Sequence, residues 1–162
     1  MQLNLNPILG LPGRKMSFDF ELELPVMDFC TIHDVAKVQG TVVNSAGALT
    51  LTGSLEVSMT CLCDRCAVSF PIAHTMPVTA YLTETLTEDA NPDAFPIKDG
   101  TVDLSDIFTT AFVLGFDRRL LCSEDCQGLC ASCGTNKNDG ACSCQKDVDP
   151  RLTALQQLLD TD

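Results

Sequence analysis

Several common kinds of protein are excluded by what this chain lacks. It has no tryptophan, one tyrosine and two histidines, and Lys and Arg number 10 against 22 Asp and Glu in 162 residues. The formal charge of −12 argues against a protein that coats nucleic acid or an anionic membrane by charge alone, because such binding depends on clustered basic residues. Long apolar runs are missing too. No segment approaches the roughly 20 apolar residues of a membrane span. The start, MQLNLNPILGLPGRKM, has no basic cluster followed by the roughly 7–15-residue apolar stretch of a secretory signal. These absences predict a cytoplasmic protein. Catalytic groupings are equally scarce. His33 and His74 lie in different segments, and His74 is in phase with a buried strand face, which predicts a hydrogen-bonded core or rim histidine rather than a base. Gly10-Leu11-Pro12-Gly13 lacks the lysine that follows in a phosphate loop, and no Ser/His/Asp arrangement can be assembled. The expectation is a protein that is not an enzyme and takes no small-molecule substrate.

Cysteine, by contrast, is abundant, with ten residues. Chains this rich in cysteine are either disulfide-bonded secreted proteins or metal-binding cytosolic ones, and the missing export signal favours the second. The spacing points the same way: Cys63-x-x-Cys66, Cys122-x-x-x-Cys126, Cys130-x-x-Cys133 and Cys142-x-Cys144. Cys-x-x-Cys suits zinc because a tight turn brings both sulfurs to one ion, and four-cysteine sites commonly join two such pairs. Cys130, Cys133, Cys142 and Cys144 form a local zinc-ribbon-like set. The remaining pairs, Cys63 with Cys66 and Cys122 with Cys126, make a second set by subtraction, giving one or two structural zinc ions. Iron–sulfur ligation fits the spacing less well. Cys30 and Cys61 fall outside both sets. Cys61 could replace Cys63 as a ligand, but its phase predicts a core thiol. A redox role for Cys63-Asp64-Arg65-Cys66 would need a helix N-terminus after a strand, whereas this motif falls between two strands.

With 45% apolar residues, the chain is long enough for one domain with a core. Alternation of apolar and polar residues predicts an antiparallel sheet over residues 17–82. Its strands run through Phe18–Leu24, about Val35–Val43, Leu49–Met59 and Val68–Leu82. Pro71 and Pro77 mark the last as an edge or an interrupted strand. An acidic loop follows over 83–100, then a helix over 103–116 capped by Asp103 or Ser105, with a stripe of Leu104, Ile107, Phe108, Ala111 and Phe112. Residues 122–144 have no periodicity and must be held by something other than an apolar core, which metal thiolates would supply. Asp149 and Pro150 open a second helix over 149–160, striped by Leu152, Leu155, Leu158 and Leu159. The fold class expected is α+β: mainly antiparallel sheet, two short helices and a zinc-ribbon-like C-terminal segment. Arg118, Arg119, Lys137, Lys146 and Arg151 make the last third the least acidic part, and the place where phosphate would be touched.

The run Cys122-Ser123-Glu124-Asp125-Cys126-Gln127-Gly128-Leu129-Cys130-Ala131-Ser132-Cys133-Gly134, then Asn136, Asn138, Cys142-Ser143-Cys144 and Asp149-Pro150-Arg151-Leu152, resembles the YceD family of large ribosomal RNA subunit accumulation proteins in its cysteine-rich Gram-positive form. Cys63-Asp64-Arg65-Cys66 and Val102-Asp103-Leu104 are similar to that family's upstream elements. The resemblance implies a cytoplasmic, non-enzymatic factor supporting accumulation of large-subunit ribosomal RNA and ribosome assembly. The acidity favours docking to a ribosomal protein or large-subunit assembly intermediate. Direct RNA binding through the five basic residues, or thiol redox and metal handling, are the alternatives.

Overall fold

The computed structural model describes residues 1–84, 94–117, 119–140 and 142–144. Within them the order is β1 (Gln2–Asn4), β2 (Lys15–Leu22), β3 (Cys30–Ile32), β4 (Ala36–Ser45), β5 (Ala48–Leu62), β6 (Ser69–Thr83), β7 (Ala94–Pro96), β8 (Thr101–Asp103) and α1 (Leu104–Gly115). The main sheet runs β2-β4-β5-β6-β7, with β3 continuing alongside β5 beyond the end of β4; β1 and β8 form a separate pair. All these pairings are antiparallel except β6 with β7.

Alternation explains the faces. On β5, Leu49, Leu51, Leu55, Val57, Met59 and Cys61 point into the core, while Thr52, Glu56 and Ser58 are exposed. The core lies between this face and α1, whose Leu104, Ile107, Phe108 and Phe112 are buried as the stripe predicts. Each buried leucine or phenylalanine contributes about 1.5–3 kcal/mol. Asp103 is the N-cap, accepting from the Ser105 backbone N–H at 3.0 Å. Close approach is managed by two facing glycines. Gly40 and Gly53 are opposite in β4 and β5, and a Cβ on Gly53 would sit 3.1 Å from the Phe108 ring and 2.6 Å from the Gln39 carbonyl oxygen. Phe108 packs edge-on against Phe18, with centroids 5.9 Å apart.

Some expectations shift. β6 is continuous through both prolines. It meets β7 only at Tyr81–Thr83, so Pro71 and Pro77 lie where a single ladder leaves their missing N–H groups unneeded. The expected acidic loop contains β7 and leads into β8. One helix, not two, is found among the described residues; the expected helix over 149–160 lies outside them. Cys61 is buried on the core face but is not a free thiol: it is bonded to Cys30, so the expectation of metal-binding in place of disulfide-bonded cysteines does not extend to this pair. The physical reason is β3, which no alternation announces. It places Cys30 opposite Cys61 in register. His74 is half-buried, yet its Nε2 has no hydrogen-bond partner among the described residues. Its ring packs edge-on against Phe116 instead, at 5.6 Å. His33 bonds the Thr60 hydroxyl at 2.6 Å.

Candidate metal centres

The long β5–β6 hairpin turns through Cys63-Asp64-Arg65-Cys66. The Ala67 N–H donates to the Cys63 carbonyl at 2.8 Å and the Cys63 N–H to the Val68 carbonyl at 3.0 Å, closing a knuckle with both sulfurs on one side. The chain leaving α1 returns to this knuckle. Asp64 is paired with Leu120 twice: its N–H donates to the Leu120 carbonyl at 2.8 Å, and its carboxylate accepts from the Leu120 N–H at 2.6 Å. Arg65 donates to the Cys126 carbonyl at 2.8 Å, while its own carbonyl accepts from the Leu129 N–H at 3.0 Å. Gly128 is required beside it: φ is +71°, and a Cβ there would lie 3.0 Å from the Arg65 carbonyl oxygen.

This stapling brings Cys63, Cys66, Cys122 and Cys126 together, with all four sulfurs within 4.8 Å of one another. Cys63 and Cys126 are 3.8 Å apart and Cys66 and Cys122 3.6 Å apart. These separations are far too long for a disulfide, whose sulfurs lie about 2.05 Å apart. They match a tetrahedron around one ion, since sulfurs about 2.3 Å from a centre are about 3.8 Å from each other. Cys63, Cys66 and Cys126 are buried and only Cys122 is exposed. We call this the inner centre. The outer centre is Cys130, Cys133, Cys142 and Cys144, also within 4.8 Å of one another. Here Cys130 is buried, Cys142 half-buried, and Cys133 and Cys144 exposed.

Local hydrogen bonds divide the thiols into two kinds. Burial pushes Cys63 up, but backbone N–H groups around it outweigh this and bring it down to about 6. Cys126 is lowered chiefly by the Asn138 amide, whose Nδ2 lies 3.3 Å from the sulfur. Cys130 is lowered to about 6 by backbone N–H groups of Cys133 and Ser132, and Cys133 is lowered by the Thr135 hydroxyl. Against these, Cys122 is pushed up to about 12 by the Cys66 thiol and by burial, and Cys144 up to about 12 by Cys133, burial and neighbouring thiolates. Each tetrad thus joins thiols whose surroundings favour the thiolate to one whose surroundings oppose it for want of a cation. A divalent ion supplies that missing charge.

The eight cysteines expected as ligands fall into the local set read from spacing and the second set reached by subtraction. Among the basic residues, Arg119 and Lys137 are exposed, Arg119 just before the Asp64 staple and Lys137 on the outer hairpin. Arg118, Lys146 and Arg151 lie outside the described residues. Spacing alone did not indicate the Asp64 and Arg65 staples, or the contact of Asn138 with Cys126. The Cys30–Cys61 bond was missed as well, although a leftover pair after two sets of four was a usable signal.

Fold and site together define a mainly antiparallel β protein with two cysteine tetrads able to hold metal ions. The chain belongs to the YceD family: residues 51–159 match the family described as large ribosomal RNA subunit accumulation protein YceD. Both tetrads lie inside that stretch. No curated protein and no solved structure gives a match.

Proposed function

We propose that this chain is a non-enzymatic, zinc-stabilised factor that supports accumulation of large-subunit ribosomal RNA and ribosome assembly in the cytoplasm. The family supports the biological role. The observation that carries the zinc reading is the inner tetrad, four sulfurs at tetrahedral spacing with no histidine or carboxylate among them. Four-thiolate closed sites are the structural kind, and soft tetrahedral sulfur ligation favours zinc. The zinc ties a coreless C-terminal segment to the tip of a long hairpin and presents it to a partner. With a charge of −12, that partner is a basic ribosomal protein or a large-subunit assembly intermediate. The test is the ratio of large- to small-subunit ribosomal RNA in cells carrying the intact chain, no chain, or Cys63→Ser with Cys126→Ser. A fall in the ratio in the last two supports the role; an unchanged ratio without the chain overturns it.

Direct RNA contact is the second reading, favoured by the exposure of Arg119 and Lys137 in the least acidic third. It requires binding to naked ribosomal RNA that weakens steeply with salt and is lost on charge reversal at both positions.

A further inference from the structure

Asn138 belongs by sequence to the loop between Cys133 and Cys142, hence to the outer centre. Its side chain is nevertheless committed to the inner one. Nδ2 donates to the Cys126 sulfur at 3.3 Å, and Oδ1 accepts from the Gln127 N–H at 2.8 Å, so the carboxamide grips the inner ligand and the residue after it. Asn136 holds the same Nδ2 at 2.8 Å and the Asn138 N–H at 3.1 Å. Between these points the chain folds back on itself. Lys137 N–H donates to the Gly128 carbonyl and Cys130 N–H to the Thr135 carbonyl, and Leu129 bridges Asn136. The hairpin from 127 to 138 is therefore anchored at one end on an inner sulfur and carries Cys130 and Cys133 at the other. Burial differs in the same sense, with one exposed cysteine in the inner centre and two in the outer.

We infer that the two centres are coupled through Asn138, so that metal held in the inner centre organises the outer one. The inference rests on the two-metal reading proposed above. A metal ion fixes the Cys126 sulfur in place, and a carboxamide that donates to that sulfur and accepts from the next residue's N–H is fixed with it. That bond sets the position of residue 138 and, through the hairpin, the approach of Cys130 and Cys133 to Cys142 and Cys144. Asn138 is a positioning residue; it is not a ligand. Loading runs inner first, and the outer ion is the exchangeable one.

The test is a Co²⁺ titration of the reduced, metal-free full chain, followed by the thiolate-to-cobalt charge-transfer absorption and by chelator competition. The intact chain binds two Co²⁺, the second only after the first. With Cys63→Ser and Cys66→Ser the outer affinity falls. Asn138→Ala, which keeps all eight sulfurs, lowers the outer affinity by about tenfold, within the range seen when groups that orient metal ligands are removed. It also shifts the charge-transfer band of the inner centre, a change that mere loosening of the outer loop would not produce. Asn138→Asp keeps the acceptor for Gln127 but loses the donor to sulfur, and it fails to restore either property. Where the double cysteine variant does not fold, Asn138→Ala decides the matter. Two Co²⁺ bound with an outer affinity and an inner spectrum indifferent to residue 138 would overturn the coupling alone. Saturation at a single Co²⁺ overturns the two-centre reading, and the coupling with it.

Discussion

Cys63 and Cys122 share one tetrad and yet are pushed in opposite directions, the first down to about 6 and the second up. Backbone N–H groups stabilise the thiolate of the first. The second keeps its proton because the surrounding sulfurs resist another negative charge. Cys130 and Cys144 repeat the arrangement in the outer centre. The ordinary thiol value is 9.0, so the two kinds act in opposite directions on the metal-free fold. A lowered thiol adds stability that is complete above about 9 and lost as pH falls through about 6. A raised thiol adds stability that is complete below about 9 and lost as pH rises through about 12. Metal has to displace the protons of Cys122 and Cys144, so zinc added to weakly buffered metal-free protein near pH 7.5 acidifies the solution. Zinc is then held until the pH falls below about 6, because protons must displace the bound ion before Cys63 and Cys130 can regain them. An indicator dye and a zinc chromophore read both effects. Uptake without proton release would remove the tetrads as metal sites.

At the scale of elements, two features of β5 set measurable limits. The first is Gly53, whose missing side chain lets β4 and the Phe108 ring approach. Gly53→Ala places a methyl 2.6 Å from the Gln39 carbonyl oxygen, which the ladder cannot relieve without moving. Overpacking of this kind costs about 1–3 kcal/mol, or roughly 2–4 °C of Tm per kcal/mol at this chain length; a scanning-calorimetry midpoint equal to that of the intact chain would contradict the packing. The second is the Cys30–Cys61 bond. Alkylation of the unfolded, chelated chain without reductant should label eight cysteines and leave two, whose peptides stay joined until reduced. Labelling of all ten would sink the bond. These features also mark the limit of sequence reading. The long strands were legible because β5 and β6 alternate cleanly over one wet and one buried face. The cap at Asp103 and the helix stripe were legible for the same local reason. β3 was not, since Cys30–Ile32 is too short to show a period and exists only because β5 outruns β4. The two cysteine groupings were legible, one from its spacing and the other by subtraction. The groups that orient them, Asp64, Arg65 and Asn138, were not, because their partners are distant in sequence and neutral side chains or backbone.

For the molecule as a whole, the decisive fact is that the described residues hold two cores of very different size. The large one joins the sheet to α1 and extends along the chain to Leu120. The small one consists of Cys63, Cys66 and Cys126 with Phe70 and Leu121 against them, so the tail's own core is made of metal-ligand candidates. Beyond Leu121, the buried residues among those described are Cys126, Gly128 and Cys130, too little apolar surface to offset the ordering of residues 122–144. The sheet has no such dependence. Chelation should therefore release the tail and leave the sheet folded, and limited trypsin digestion separates these outcomes. Lys137 is exposed but its backbone is tied to Gly128 at 2.9 Å, a contact that in the metal-loaded chain should resist the extended conformation a protease needs. In the chelated chain cleavage after Lys137 and Arg119 should accelerate by at least about tenfold, the factor expected when a roughly 1.4 kcal/mol barrier to local opening disappears. Cleavage at Lys37, in the middle of the sheet, should keep its rate. Equal acceleration at Lys37 would mean that the metals hold up the whole fold, and no acceleration anywhere would mean that the tail stands without them.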